Sequence, residues 1–451
     1  MAEAPGSLWC ELAWLGGGSP ESGVAIELAD GRITRVAAGV GSPPPGAERL
    51  QGLVVPGFAN AHSHAFQRAL RGRTHDEGGS FWTWREQMYA LANALNPESM
   101  FAVSRAAFGE MALAGVTLVG EFHYLHHALG GSPYPEANAM GAAVIEAARA
   151  AGLRLTLLDS CYLHGGIGRP PEERQLRFCD PSAEDWSTRV DELARSLPED
   201  SPVRIGAAIH SVRAVDPASA AIVAAWAEER QAPLHAHLSE QPAENEACIE
   251  TYGDTPAELL FQSGVLSERF TAVHATHVSE SDVTRLATAG ARCCLCPTTE
   301  RDLADGIAPA LQLRGAGVDL ALGSDSNAVI EPLEEARAVE LDERLSTGVR
   351  GRHSAPELLA AATRGGYDSL GWPGGGVIRE GALADLVAFR LGGVRLSGTP
   401  AKDAVDGLLF AGAAADVSDV LVGGRFIVRD GEHVALDVAR ELRDSIGQLT
   451  W

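Results

Sequence analysis

The sequence predicts an α/β fold: a TIM-like (β/α)8 barrel with a small β-sandwich domain built from both ends of the chain. Three observations carry this. Eight short apolar runs recur through the middle, each followed by sequence able to form a helix. Both ends carry alternating strand runs broken by hairpin signals. Ionisable residues stand at the C-terminal ends of the middle runs, where a parallel barrel gathers its loops and its active site.

The N-terminal stretch "VAIELADGRITRVAAG" alternates and turns at Asp30-Gly31. At the other end "GALADLVAFRL" and "DVLVGGRFIVRDGEHVA" read as strands joined by Gly-Gly and Asp-Gly turns, the residues that two-residue hairpins demand. Both ends therefore read as β material able to pair into one sandwich, spanning 1–56 and 372–451 around a catalytic barrel at 57–371. The barrel runs are "LVVPGFANAHSH", "GVTLVGEF", "GLRLTLLDS", "VRIGAAIHS", "APLHAHLS", "FTAVHAT", "ARCCLCP" and "VDLALGSDS". Ala-rich amphipathic segments such as "SAAIVAAWAEER" lie between them, the βα alternation of a parallel barrel. A doubly wound open sheet is the rival, but no Gly-rich dinucleotide turn follows any strand.

Composition narrows the class. At 451 residues the chain is long enough for more than one structural unit, and its 45% hydrophobic and 21% charged content is that of a globular protein. Lys+Arg 36 against Asp+Glu 60 gives a net charge of −24, a field that repels nucleic acid and anionic membrane. An anionic substrate therefore needs locally placed arginines, and Lys402 is the sole lysine of the sequence. The seven cysteines form no disulfide framework. Cys293, Cys294 and Cys296 read as strand packing rather than a zinc site. With no basic start before an apolar run and no membrane-length apolar stretch, the expectation is a cytoplasmic protein.

The strand ends supply the chemistry. The first ends in His62-Ser-His64 and the fourth in His210; the fifth carries His237 and, three residues on, Glu240; the sixth carries His274; the eighth ends in Asp325. Any one histidine singly is as readily a satisfied core residue, and only the coincidence at one rim points to a site. His62 and His64 share a face of an extended segment. With His237 and Asp325 they offer three nitrogens and one oxygen to a divalent metal, most naturally zinc, and leave room for a water. The same ligands accept Fe²⁺, Co²⁺ or Mn²⁺. Glu240 and His274 remain as general acid/base groups, with Asp325 beside the water. His235, two residues before His237, faces inward one layer deeper and reads as core.

"PGFANAHSH", "HLSE", "VHATH" and "GSDS", together with terminal β segments, resemble the amidohydrolase superfamily over essentially the whole chain. The resemblance implies the barrel, the terminal sandwich, a hydrolase acting on non-peptide C–N bonds and a homodimer. Members that bridge two metals commonly do so with a carboxylated lysine on strand four. This barrel has no lysine and offers His210 there, which implies one metal and deaminase chemistry.

Finer motifs, "NAHSHAFQRALRG", "FWTWREQMY", "GEFHYLHH", "IHSVRAV" and "LCPTTERDLADG", resemble the formimidoylglutamate deiminase branch. That implies a small dicarboxylate substrate, N-formimino-L-glutamate of histidine degradation, deaminated to N-formyl-L-glutamate. Arg213, three residues past His210, and Arg85, in the long loop after strand one, are natural carboxylate receptors. Tyr124 adds a hydroxyl. The resemblance places all three on the carboxylates and Gln67 on the formimino group, with His210 among the substrate-binding residues. Arg85 could instead pair with Glu86, and Trp82 and Trp84 read as loop packing. His123, His126, His127 and His277 are not needed as ligands, and Glu300 in "CPTTE" shapes the rim without a catalytic role. The rivals are a deaminase of guanine or of a thio- or homocysteinyl-adenosine, more remotely a triazine chlorohydrolase, and, from a different class, a non-catalytic barrel scaffold.

Overall fold

The structure is a computed structural model describing residues 5–75, 79–198 and 201–451; the first four residues of the expected sandwich lie outside these. The N-terminal strands are β1 (Ser7–Ala13), β2 (Glu21–Ala29), β3 (Arg32–Ala37) and β4 (Glu48–Pro56). Eight barrel strands follow: β5 (Phe58–Ser63), β6 (Val116–His123), β7 (Arg154–Cys161), β8 (Val203–Ile209), β9 (Leu234–Leu238), β10 (Phe270–His274), β11 (Arg292–Leu295) and β12 (Asp319–Leu322). The last strands are β13 (Leu386–Phe389), β14 (Val417–Val422), β15 (Arg425–Arg429) and β16 (Glu432–His433).

Each expected apolar run contains one barrel strand. Strands β5 to β12 lie side by side in chain order, every neighbouring pair parallel. Their runs are almost continuously apolar because a parallel sheet is covered on both faces. The barrel closes between its first and last strands by a parallel bridge from Ser63 to Asp325. Across this seam His64 N–H donates to the Asp325 carbonyl at 2.9 Å, and Asp325 N–H to the His62 carbonyl at 3.0 Å. Gly323 makes the approach possible: a Cβ there would stand 2.7 Å from the His62 Cβ.

The two ends of the chain pair into one mixed sheet, β16-β15-β14-β13-β4-β1-β2-β3. Its join is β4, parallel to β1 and antiparallel to β13. The period-two alternation gives the sheet two apolar faces. Leu53 and Val55 of β4 enter the large core shared with the barrel, whereas Leu50 and Val54 enter a second cluster with Leu8, Ile26 and Leu386. Burying each such side chain is worth about 1.5–3 kcal/mol. The hairpins turn where expected, with positive φ at Asp30-Gly31, Gly423-Gly424 and Asp430-Gly431, as the type I′ geometry requires.

Two expectations are corrected. The segment 372–451 is not all β: helices Ala404–Ala411 and Val438–Gly447 lie in it. The first sends Leu408 and Leu409 into the large core. The second ion-pairs through Glu441 with Arg105, and its entry is capped by Asp437, which accepts the Arg440 N–H at 3.1 Å. The stretch carrying Arg85 is also no loop. It forms α1 (Phe81–Ala94), opened where Thr83 Oγ1 accepts the Ser80 N–H at 2.8 Å, and burying Phe81, Met88, Tyr89, Leu91 and Ala92. Its aromatic start obscured that period. No described helix is long and apolar enough to cross a membrane.

Candidate active site

At the C-terminal rim, candidate ligand atoms of His62, His64, His237 and Asp325 all lie within 4.8 Å of one another. The Asp325 Oδ1 stands 3.2 Å from His62 Nε2 and 3.3 Å from His64 Nε2. His64 Nδ1–H donates to the Phe122 carbonyl at 2.9 Å, and His237 Nδ1–H to the His210 carbonyl at 2.8 Å. Those carbonyls fix the tautomer and leave both Nε2 lone pairs facing inward, the outer support that ligand histidines use. His237 Nε2 then meets His62 Nε2 at 3.2 Å. Burial pushes His62 down to about 3 and holds His64 and His237 below the usual imidazole value. Neutral nitrogens with opposed lone pairs around one carboxylate suit a cation between them, so the quartet fits a divalent metal.

His274 closes the site from β10. Its Nε2 lies 3.8 Å from Glu240 Oε1 and 3.9 Å from Asp325 Oδ2; its Nδ1 lies 3.4 Å from Glu300 Oε1. Burial opposes its charge, but Glu240, Glu300 and Asp325 outweigh burial and lift it to about 10. Three carboxylates round one imidazole leave a surplus of negative charge that a cation held by the quartet would balance. The rim backbone is strained to hold this arrangement: Ser239, His274, Ala275, Asp325 and Asn327 all have φ between 45° and 70°, a region non-glycine residues rarely occupy.

Above the quartet opens a cavity of about 390 Å³, lined by His64, Gln67, Arg85, Tyr124, His210, Arg213, His237, Glu240 and Asp325 among others. All five expected substrate-binding residues are therefore together. Gln67, on a short turn after β5, donates from Nε2 to the Tyr124 hydroxyl at 2.8 Å, while its Oε1 is buried with no partner among the described residues. The guanidinium of Arg85 stacks 4.6 Å from the Trp82 ring centre, and its Nε is buried with no acceptor among the described residues. Glu86 pairs instead with Arg174. Arg213 donates from Nη2 to Glu240 Oε2 at 3.1 Å and from Nε to Ser211 Oγ at 3.2 Å. Burial opposes its charge, and Glu244 and then Glu240 reinforce it.

His235 is fully buried, 3.0 Å from the Ser369 carbonyl, a core residue as read from sequence. His126 lies against the Ser160 carbonyl, His127 against Asp180 and His277 against the Asp305 carbonyl. His123 packs on His126. None of the four joins the quartet. Cys293, Cys294 and Cys296 are buried free thiols. Two carboxylates emerge only in three dimensions. Glu300, expected merely to shape the rim, accepts the Cys296 N–H at 2.9 Å and faces His274. Glu244 accepts the Glu240 N–H at 3.2 Å; its place four residues after Glu240, one turn into the next helix, was the available signal.

A parallel barrel with neutral histidines and one carboxylate converging beside a second carboxylate and a further imidazole defines a hydrolase. The chain belongs to the amidohydrolase family, whose sequence profile matches residues 53–427. It is 38% identical over 416 residues to the formimidoylglutamate deiminase of Pseudomonas aeruginosa, covering 90% of this chain and 91% of that one. It is 31% identical to the 5-methylthioadenosine/S-adenosylhomocysteine deaminase of Natronomonas pharaonis, over 93% of this chain and 91% of the relative. A crystal structure of an amidohydrolase from Brucella melitensis superposes with a TM-score of 0.91 at 35% identity, over 98% of this chain and 99% of that one. The protein is thus an amidohydrolase-type deaminase, a hydrolase of C–N bonds.

Proposed function

We propose that the protein hydrolyses N-formimino-L-glutamate to N-formyl-L-glutamate and ammonia, in histidine degradation. The observation that carries this reading is the pair of guanidiniums, Arg85 and Arg213, in the cavity that holds the acid/base groups. Two planar cations inside a chain of net charge −24 suit a substrate with two carboxylates. The similarity to the Pseudomonas aeruginosa enzyme supports the same substrate.

His62, His64, His237 and Asp325 would hold one divalent cation, with zinc the natural occupant. When bound there, it would supply a water of lowered pKa able to act as nucleophile near neutral pH. Asp325 and His274, their Oδ2 and Nε2 3.9 Å apart, would orient the attacking water and take its proton once a cation in the quartet offsets the carboxylates that otherwise keep His274 protonated. Glu240 carries a proton to the imino nitrogen. A C–O bond forms, the C–N bond breaks, and the nitrogen leaves as ammonia while the formyl C=O remains. Gln67 and His210 position the formimino group, and Arg85, Tyr124 and Arg213 hold the carboxylates.

A deaminase of guanine or of a thio- or homocysteinyl-adenosine is the competing reading. Aromatic lining from Phe81, Trp82, Tyr89 and Tyr162 favours a ring, and the Natronomonas relative bears such a name. It leaves the two guanidiniums without a task. Ammonia release by the zinc-loaded protein separates the two, with N-formimino-L-glutamate beside guanine and 5′-methylthioadenosine. Selective turnover of the formimino compound is expected; turnover of a purine alone overturns the reading. The same reading carries a cytoplasmic location and a homodimer, the latter checked by sedimentation of the purified protein.

A further inference from the structure

Arg213 and Glu240 have been given separate tasks, yet in this structure they hold each other. Nη2 of Arg213 reaches Oε2 of Glu240 at 3.1 Å, and their side chains are only 15% and 7% exposed. The second oxygen of Glu240 faces His274 Nε2 at 3.8 Å. Its backbone is pinned by the N–H bond to Glu244 at 3.2 Å and by the left-handed φ of Ser239. In this state one oxygen of the proton carrier is occupied by the guanidinium expected to receive substrate.

Water is a poor replacement partner for a pair this buried, because separating it strands two charges in low dielectric. A ligand that brings its own charges can exchange partners instead. N-formimino-glutamate carries a basic amidine whose nitrogen shares a carbon with one carboxylate, and a second carboxylate at the far end of its chain. A carboxylate can take the Nη groups of Arg213 while Nε keeps its bond to Ser211, since a guanidinium has five donors. The amidine then meets the freed Glu240. One internal pair is replaced by two pairs with substrate, and no charge is left alone.

We propose that Arg213 is a substrate-operated latch: it restrains Glu240 in the free protein and, on binding a substrate carboxylate, releases Glu240 to the imino head. The proposal rests on the N-formimino dicarboxylate reading and adds to it. It makes the remote carboxylate act on the chemical step and not on binding alone, the use of distant binding energy that raises kcat.

The test delivers the substrate in two pieces to the native zinc-loaded protein: N-methylformamidine as the head, and glutarate as the dicarboxylate. N-methylformamidine alone should turn over slowly, and saturating glutarate should raise its kcat by about tenfold or more. In Arg213→Met the latch is absent. Its kcat on N-methylformamidine should exceed that of the native protein without glutarate, and glutarate should no longer activate it. If glutarate leaves the native rate unchanged or only inhibits, the latch is overturned even should Arg213→Met fail to fold. N-formimino-L-glutamate runs in parallel: native turnover of it without glutarate activation removes the latch alone. No native turnover of it removes the substrate reading and the latch together.

Discussion

His274 and Glu300 form a buried imidazole–carboxylate pair, Nδ1 to Oε1 3.4 Å apart, with His274 held at a φ of 70°. The carboxylate also accepts the Cys296 N–H, so it is fixed at the C-terminal end of β11 and orients the His274 ring with Nε2 toward the site. Glu300→Gln keeps an acceptor for both groups and should retain kcat within about tenfold. Glu300→Ala should lower kcat by about 10²-fold with KM little changed, a split that follows from loss of positioning alone. Equal losses of kcat in the two variants would show that an acceptor is not what matters.

Glu240→Gln preserves shape and removes the proton. Turnover should fall by about 10²–10⁴-fold while metal content stays at one ion per chain, measured by elemental analysis. Near-native turnover would remove Glu240 from proton transfer.

Arg85 is predicted to act on binding. Its Nε has no acceptor among the described residues, so Arg85→Met should raise KM by about 10–100-fold at nearly constant kcat, the sign of uniform binding. An unchanged KM would return Arg85 to a stacking partner of Trp82.

Chelation should abolish deaminase activity and zinc should restore it. Zinc at a hundred times its dissociation constant adds about 2.7 kcal/mol to folding stability. The Tm of the chelated protein should therefore rise on adding zinc, and that of His237→Ala should not.

Stability at low pH turns on a cluster away from the site. Arg189 donates to Asp159 at 2.8 and 3.0 Å and to Asp180 at 2.8 and 3.0 Å, with His126 and His127 beside them. Burial opposes ionisation of both carboxyls, but Arg189 with the neighbouring histidines outweighs it and holds them below the ordinary range. A lowered folded-state value means stability that is complete above about pH 4, the unfolded value, and lost as pH falls below it. Arg189→Met should cost about 3–5 kcal/mol at neutral pH, because it strands two buried carboxylates. Its urea midpoint should depend on acid less than that of the native protein.

The eight barrel strands were legible because burial on both faces writes each as an apolar run, and the site because a barrel collects its strand ends in one place. His62, His64, His237, Glu240, His274 and Asp325 all announced themselves that way. The partnerships between them did not. Glu300 lies 26 residues from His274 and Arg213 27 residues from Glu240, and no local period links such pairs. Glu244 was passed over beside a more conspicuous neighbour. The helix carrying Arg85 was hidden by aromatics, and the helices at 404–411 and 438–447 by the strand runs around them.

The seam between β5 and β12 has a consequence for how the chain reaches this state. Ser63 and Asp325 are joined across more than half of the sequence, so their pairing has the greatest loop entropy of any in the barrel to overcome. The other neighbouring strands can assemble in order as the chain collapses, but the ring is complete only when its first and last members meet. The residues that meet there, His62, His64 and Asp325, are three of the four that would hold the proposed metal. During refolding the amides of His64 and Asp325 should be the last in the barrel to gain protection from hydrogen exchange, and catalytic competence should appear with them.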